Sequence, residues 1–270
     1  MSNPILNENF LKKEKVHYAE PVADENAARS GDDVRAYRER TFIAEEPMTV
    51  NGAINKTFVL FGCLLLAAMY TWNLMMNGFT DKAVLLCYGG AIVGFVLAMI
   101  LAFSNARGAK FLAPAYAVAE GFFVGGISAM FEASWAGIVM QAVVATMAAM
   151  VSMLLLYRLN IIRATEKFRS VIFISTLSIA VIYLIQFIAS FFGRGIPQIF
   201  TASPMGIGFS LLVVAIAALN LIIDFDFIDR GAAMMLEKRY EWYGAFGLMV
   251  TLVWLYLEML RLLAKMSSRD

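Results

Sequence analysis

The chain has 270 residues, of which 60% are hydrophobic and only 16% charged, and its mean hydropathy is +0.70. Soluble domains are about half apolar and about a quarter charged, so this composition excludes an ordinary soluble protein. The net charge of +1 gives no reason to expect a nucleic-acid partner.

The apolar residues are concentrated in one part of the chain. Residues 1–47 are polar and rich in charge, whereas almost everything after Met48 is apolar. We therefore predict a cytoplasmic, largely disordered tail over 1–47 and a membrane domain over 48–270. The first residues contain no apolar core of the kind found in signal peptides, so we expect no cleavable signal.

Seven apolar stretches are near the ~20 residues that a helix needs to cross ~30 Å of hydrocarbon. Only helices and closed barrels satisfy every backbone polar group in lipid, and uninterrupted runs of this length indicate helices. We therefore predict an all-α membrane protein with seven transmembrane helices. The predicted spans cover residues 57–77, 83–103, 111–131, 136–157, 171–192, 205–228 and 244–264.

The distribution of Lys and Arg predicts the orientation, because cytoplasmic loops carry an excess of both. With seven spans, seventeen of the 22 basic residues fall on the side of the N-terminal tail and five on the other. The N-terminus is thus predicted to be cytoplasmic and the C-terminus outside. Arg261, Lys265 and Arg269 follow or end the last span and fit this less well, so a last helix that only dips into the membrane is an alternative.

Small residues four apart predict places where helix backbones approach closely. Gly90 and Gly94 form such a pair in the second span, and Gly121 and Gly125 form one in the third.

Carboxylates inside the spans are the main candidates for function, since a charge in the bilayer costs at least ~2.5–3.5 kcal/mol and normally faces a cavity or a partner. Glu120 lies well inside the third span, with no neighbouring cation on its own helix. Asp224 lies near the inner end of the sixth span, one helical turn after Asn220 and on the same face. Asp226 lies on a different face of that helix.

The seventh span carries Glu258, and Arg261 three residues later offers a local ion pair as a purely structural explanation. Thr251 lies on the same stripe as Glu258, which gives the helix a polar face. Because calcium prefers oxygen ligands, Asp224 and Glu258 are predicted to bind calcium transiently. The residues alone predict a proton- or cation-responsive pore without identifying the ion.

Features of enzymes are missing from the sequence. The only histidine is His17, in the tail, which excludes histidine-built metal centres and Ser–His catalysis within the membrane. No glycine-rich phosphate loop precedes a lysine. We therefore expect no enzyme and no cofactor, with calcium only as a permeating ion.

Three stretches, residues 119–128, 220–230 and 248–263, resemble the transmembrane Bax inhibitor motif family, in particular its bacterial branch. The resemblance extends over roughly residues 50–265. It implies a seven-helix bundle with a central helix, in the inner membrane of a bacterium. It also implies a proton-sensitive calcium leak, in which two aspartates on the sixth and seventh helices and an arginine near the cytoplasmic end of the second form a latch.

The latch residues carry over only in part. Asp224 matches the first aspartate, and Arg107 is the nearest match to the arginine. A gapless alignment puts Thr251 at the second aspartate, whereas a register shifted by two turns puts Glu258 there. Glu120, Glu258 and Asp226 are candidates to substitute for the missing acid, and loss of gating is the alternative.

Three functional hypotheses follow. The first is a pH-sensitive calcium or cation leak channel gated by protonation of intramembrane carboxylates. The second is a non-conducting adaptor that binds another membrane protein, such as a protease, through its tail or its helix faces; the resemblance implies this because some bacterial relatives modulate a membrane protease. The third is a proton-coupled carrier of an organic solute.

Overall fold

The structure is a computed structural model, and it describes residues 46–193 and 197–268. The predicted tail therefore lies outside the described residues, except for Glu46 and Pro47. Arg194 and Arg269, which enter the charge distribution above, lie outside them as well.

The prediction of an all-α bundle is confirmed. Within the described residues, seven helices are long and apolar enough to cross a membrane. Extended structure in this part of the chain is limited to one isolated bridge between Pro47 and Glu237. A one-turn helix, Pro197–Phe200, precedes the sixth long helix. The long helices are α1 (Val50–Met76), α2 (Thr80–Phe103), α3 (Ala109–Ser134), α4 (Ile138–Arg158), α5 (Glu166–Phe191), α6 (Pro204–Ala233) and α7 (Arg239–Ser267).

Capping residues set the starts of three helices. The Thr49 hydroxyl accepts a hydrogen bond from the Gly52 backbone N–H, so α1 begins seven residues before its predicted span. Thr165 and Ser203 cap α5 and α6 in the same way. A hydroxyl at this position satisfies a backbone donor that the first turn leaves unpaired. Hydropathy could not locate the starts of α1 and α5, because their first turns contain polar residues, whereas the predicted start of α6 is one residue from the observed one.

The last helix, α7, is the centre of the bundle. It packs against α1, α3, α4 and α6. Half of its most apolar window is buried, whereas only 11% of the corresponding window of α5 is buried. The central helix implied by the family resemblance is therefore α7, and α5 lies at the periphery.

The small-residue pairs bring backbones together as predicted. A Cβ at Gly121 would overlap the Leu64 carbonyl of α1, and one at Gly125 would overlap the backbone of Ala68. Gly90 of α2 lies in the same way against the Ala119 carbonyl of α3. Helices α1, α2 and α3 therefore form one tightly packed group.

Residues 46–49, the lead-in segment, are attached to the loop between α6 and α7. The Met48 N–H donates to the Leu236 carbonyl at 2.6 Å, next to the bridge between Pro47 and Glu237. The beginning of α1 and the α6–α7 loop consequently lie on the same side of the bundle. This side is called the basic face below, because most of the described Lys and Arg residues lie in its loops or at the adjoining helix ends.

Ionic contacts reinforce this attachment. The Glu241 carboxylate is fully buried and accepts from the Thr49 N–H and hydroxyl at 2.9 and 3.0 Å, and it also pairs with Lys56. Outside the membrane-spanning helices, Lys238 pairs with Glu46. The Lys238 ammonium group donates a hydrogen bond to the Glu46 carboxylate, which lowers the pKa of Glu46 and raises the pKa of Lys238.

A gap separates two peripheral helices. Helix α2 packs against α1 and α3, whereas α5 packs against α6. Helices α2 and α5 have at most marginal contact with each other. The space between them is therefore closed only on the side of the bundle interior, where α6 and α7 line it. This gap contains the candidate site.

Candidate functional site

A cavity of about 400 Å³, called the crevice below, occupies the gap between α2 and α5. Phe95 and Met99 of α2 contribute to its wall and are 67% and 43% exposed on the surface of the protein. The crevice therefore opens sideways, toward the lipid. Its walls are mainly aromatic and aliphatic, and its polar members are Arg169, Thr176, Asn220, Asp224, Asp226, Arg230 and Thr251.

Asp224 lies at the back of the crevice, where α6 meets α7. Its polar neighbour there is the Thr251 side chain. The Oδ2 atom of Asp224 is buried and has no hydrogen-bond partner among the described residues. A buried oxygen without a partner costs free energy that a proton, a cation or a water molecule would recover.

Asn220 lies one turn from Asp224, toward the membrane centre. Its side-chain amide donates to the Thr176 hydroxyl of α5 and to the Ile216 carbonyl, each at 2.9 Å. This contact joins α5 to α6 across the crevice. The predicted common face of Asn220 and Asp224 is confirmed, since both side chains line the same cavity.

Asp226 belongs to a charge cluster with Arg169 and Arg230. Its carboxylate pairs with Arg169 of α5, and Arg230 Nε lies 3.1 Å from Asp226 Oδ2. Arg169 was counted among the loop charges in the sequence, yet it is only 8% exposed. It is buried because its position, four residues after the capping Thr165, points its side chain back against α6.

A second cavity, the vestibule, lies beside the charge cluster at the basic face. It measures about 500 Å³ and is lined by polar groups of α4, α6 and the α4–α5 loop, among them Arg158, Arg163 and Asp229. Asp226 and Arg230 line both cavities. The charge cluster therefore forms the partition between the vestibule and the crevice.

Glu258 does not share the crevice with Asp224. It lies in the half of α7 that is remote from the basic face, and it is only 1% exposed. Its carboxylate accepts from Tyr183 Oη at 2.9 and 3.0 Å and from Arg261 at 2.7 Å. The local ion pair with Arg261 is confirmed, and the two residues predicted to bind calcium together are not brought together.

The other predicted residues lie elsewhere. Glu120 is half-buried in α3, beside Tyr116 and against Gly94 of α2, outside the crevice lining. Arg107 is exposed in the α2–α3 loop, and the arginine of another helix that pairs with a carboxylate of α6, Asp226, is Arg169. Among the described residues, no group of three or more His, Cys, Asp or Glu side chains is arranged to hold a metal ion.

Sequence reasoning missed three residues that shape these sites. Arg169 was considered only as one of the basic residues on the side of the N-terminal tail, and neither Tyr183 nor Thr176 was singled out. Arg169 lies about one helical turn after the capping Thr165, and this spacing could have indicated that Arg169 faces the bundle. Nothing in the local pattern signals that Tyr183 reaches across to Glu258.

Comparison with known proteins agrees with the fold. No curated protein and no solved structure shows a significant match to the chain. The family model described as Bax inhibitor 1 like matches residues 3–268, which is nearly the whole length. The protein is a multi-pass membrane protein with seven apolar helices, of which α7 is the central one. The match over nearly the whole chain shows that it belongs to the Bax inhibitor 1 like family.

Proposed function

We propose that this protein is a leak channel for calcium or another cation, gated by protonation of intramembrane carboxylates, with Asp224 as the principal sensor. The observation that carries the proposal is the Asp224 carboxylate, with one buried oxygen lacking a partner inside a cavity. In a medium of low dielectric constant an ionised carboxylate is costly unless a proton or a cation neutralises it, so protons and cations compete for such a group.

The charge cluster suits the role of an inner barrier. With the basic face in the cytoplasm, a cation leaving the crevice for the vestibule passes Arg169 and Arg230, both held on Asp226. Two guanidinium groups repel a cation as long as they remain there. Protonation of Asp224 removes a negative charge from the crevice beside the guanidinium groups, and so changes the barrier.

In this proposal Thr251, rather than Glu258, stands opposite Asp224. Thr251 lines the crevice, whereas Glu258 has its hydrogen bonds from Tyr183 and Arg261. A neutral hydroxyl opposite a single carboxylate leaves one proton-binding group at this level of the bundle. The pH response is therefore expected to follow one protonation step rather than the two coupled steps of an acid pair.

The test is calcium flux into proteoliposomes that contain a calcium dye, measured from about pH 5 to about pH 8, where protonation of buried carboxylates changes. Wild type is expected to show a pH-dependent flux. Asp224→Asn is expected to flatten that dependence, because the substitution removes the proton-binding group and keeps the shape of the side chain.

Glu258→Gln is the matched control, since it also neutralises a buried carboxylate of the bundle but lies outside the crevice. It is expected to keep the pH profile of the wild type. An unchanged rate and profile in Asp224→Asn, with correctly inserted protein, would overturn the proposal. A flattened profile in Glu258→Gln alone would move the sensor to Glu258.

The second candidate, a non-conducting adaptor, is favoured by the lead-in segment. Met48 and Thr49 are bound to the α6–α7 loop and to Glu241, so the lead-in segment is held at a fixed point beside α7. A partner such as a membrane protease could be held there. Deletion of residues 1–45 is expected to abolish capture of the partner and to leave any leak intact; capture that survives the deletion contradicts the tail-based version.

A further inference from the structure

We propose that the crevice is a binding site for lipophilic organic cations, such as hydrophobic amines or phosphonium ions, which enter from the lipid and pair with Asp224. This inference goes beyond the proposed leak, because binding of such a ligand requires no conduction. It follows from the size of the crevice, the nature of its walls, its single uncompensated carboxylate and the position of its opening.

The size and the walls suit a bulky apolar ligand. The crevice volume of about 400 Å³ lies within the ~300–1000 Å³ typical of small-molecule pockets, which are mostly apolar with few polar groups. Its walls carry five aromatic rings, whose faces attract cations. These rings belong to Phe95, Phe173, Phe227, Tyr243 and Phe246.

The charge of the site favours a cation. Asp224 has no cationic partner among the described residues, since both arginines of the crevice lie on Asp226. An ionised carboxylate among apolar walls needs a counter-ion, and a ligand that supplies one gains both the ion pair and the contact with the rings.

The scarcity of oxygen atoms favours an organic cation over a resident metal ion. Calcium is held by ~6–8 oxygen ligands, whereas the neighbourhood of Asp224 offers chiefly its own carboxylate and the side chains of Thr251 and Asn220. A bulky cation with delocalised or shielded charge requires only one carboxylate, and the walls solvate the remainder of the molecule.

The opening lies where such compounds concentrate. The crevice reaches the surface between α2 and α5, beside the exposed Phe95 and Met99. Ala98 and Ala102 of α2 are the small members of this wall and leave room for a ligand to pass. Lipophilic cations partition into membranes, so they reach this opening without crossing the vestibule.

The test measures binding of tetraphenylphosphonium to the purified full-length protein in a nonionic detergent, by equilibrium dialysis with a tetraphenylphosphonium-selective electrode. The expected result is saturable binding of one ion per chain. Tetraphenylborate has the same shape and the opposite charge, so it is expected to show no saturable binding. Equal binding of tetraphenylborate would overturn the proposal, because it would assign the site to the arginines or to unspecific partitioning.

Two variants test the site itself. Asp224→Asn is expected to weaken binding by at least about tenfold, as when a partly desolvated ion pair is lost. Gly247→Leu keeps Asp224 but fills the crevice, and only Asp224 Oδ1, at 3.6 Å, lies within 4 Å of a Cβ at this position. It is expected to abolish binding without disturbing the packing.

Asp229→Asn is the matched control: the same change on the same helix, at a residue that lines the vestibule and not the crevice. It is expected to bind as wild type does. Wild-type affinity in either Asp224→Asn or Gly247→Leu overturns the proposal, and if one of these variants does not fold, the other decides. This assay measures binding and not flux, so its outcome is independent of the proposed leak. Binding without a leak would contradict only the leak, and a leak without binding would contradict only the binding site.

Discussion

The crevice and the far-side cluster of Tyr183, Glu258 and Arg261 both place a carboxylate inside the bundle, yet they treat it differently. Glu258 receives hydrogen bonds from a phenol and a guanidinium group. Asp224 has one oxygen without a partner and borders a cavity. What distinguishes the two carboxylates is therefore the number of groups that satisfy the charged form of each.

The largest effect on stability is expected where a satisfied carboxylate is removed. Glu258→Leu leaves Tyr183 Oη and the Arg261 guanidinium without their shared acceptor. We expect the free energy of unfolding to fall by about 2–4 kcal/mol, toward the lower end because the Arg261 side chain is 39% exposed and can turn to water. Unfolding by titration with a denaturing detergent measures it.

Glu258→Gln keeps an acceptor for both donors and is expected to lose clearly less stability than Glu258→Leu. Equal stability of wild type and Glu258→Leu would contradict the comparison, because it would mean that these hydrogen bonds do not support the bundle.

A somewhat smaller effect is expected at Lys265, the buried cation of the same end of the bundle. Its ammonium group donates to the Ile199 and Gly206 carbonyls, each at 3.0 Å, and to the Ser210 hydroxyl at 2.8 Å. Lys265→Met keeps most of the length of the side chain but removes the donor that the three acceptors share. We expect a loss of about 1–3 kcal/mol in the same unfolding assay.

Lys265→Arg tests whether the charge or the geometry matters. A planar guanidinium group cannot direct its hydrogens at three converging acceptors as an ammonium group does, so this variant is expected to lie between wild type and Lys265→Met. Stability equal to wild type in Lys265→Met would show that water replaces the ammonium group at no cost.

A change near zero is expected at Asp224, where the carboxylate is not satisfied. Asp224→Asn removes an ionisable group that the fold does not compensate, so we expect a change below about 1 kcal/mol, or a gain in stability. A loss as large as that of Glu258→Leu would break the comparison, because it would reveal a structural partner for Asp224.

The smallest effect is expected at the surface pair of Glu46 and Lys238, whose side chains are 76% and 45% exposed. The lowered pKa of Glu46 means that its contribution to stability is present above the pKa of the unfolded chain and fades as the pH falls through the folded pKa. Because water screens exposed pairs, Glu46→Gln is expected to leave the unfolding midpoint nearly unchanged at pH 7 and at about pH 4. A large pH-dependent loss would show that the lead-in segment depends on this pair.

The seven helices were predictable because hydropathy over ~20 residues reports directly on the span of a bilayer. The start of α1 was not, because its first two turns contain polar residues such as Asn51 and Lys56. Lys56 pairs with the buried Glu241 nearly two hundred positions later in the chain. Such a contact depends on tertiary packing and leaves no local pattern.

For the candidate site, as for the fold, features within one helix were predictable from the sequence, and contacts between helices were not. Asp224 and Asn220 could be identified, and placed on one face, because both lie on a single helix with a fixed period. Glu258 looked equivalent to Asp224, since its partner Tyr183 comes from another helix. Arg169 was assigned to the wrong environment for the same reason, because its partner Asp226 also lies on another helix.

The attachment of α2 and α5 has a mechanical consequence. Each wall of the crevice is fastened to its own neighbours, α2 to the glycine-packed group and α5 to α6, with little to hold the two walls to each other. The Asn220–Thr176 contact joins only α5 to the back wall. The width of the crevice is therefore its most compliant dimension. Lateral pressure of the surrounding acyl chains would act directly on that width, so we expect access to Asp224 to depend on the lipid composition of the membrane.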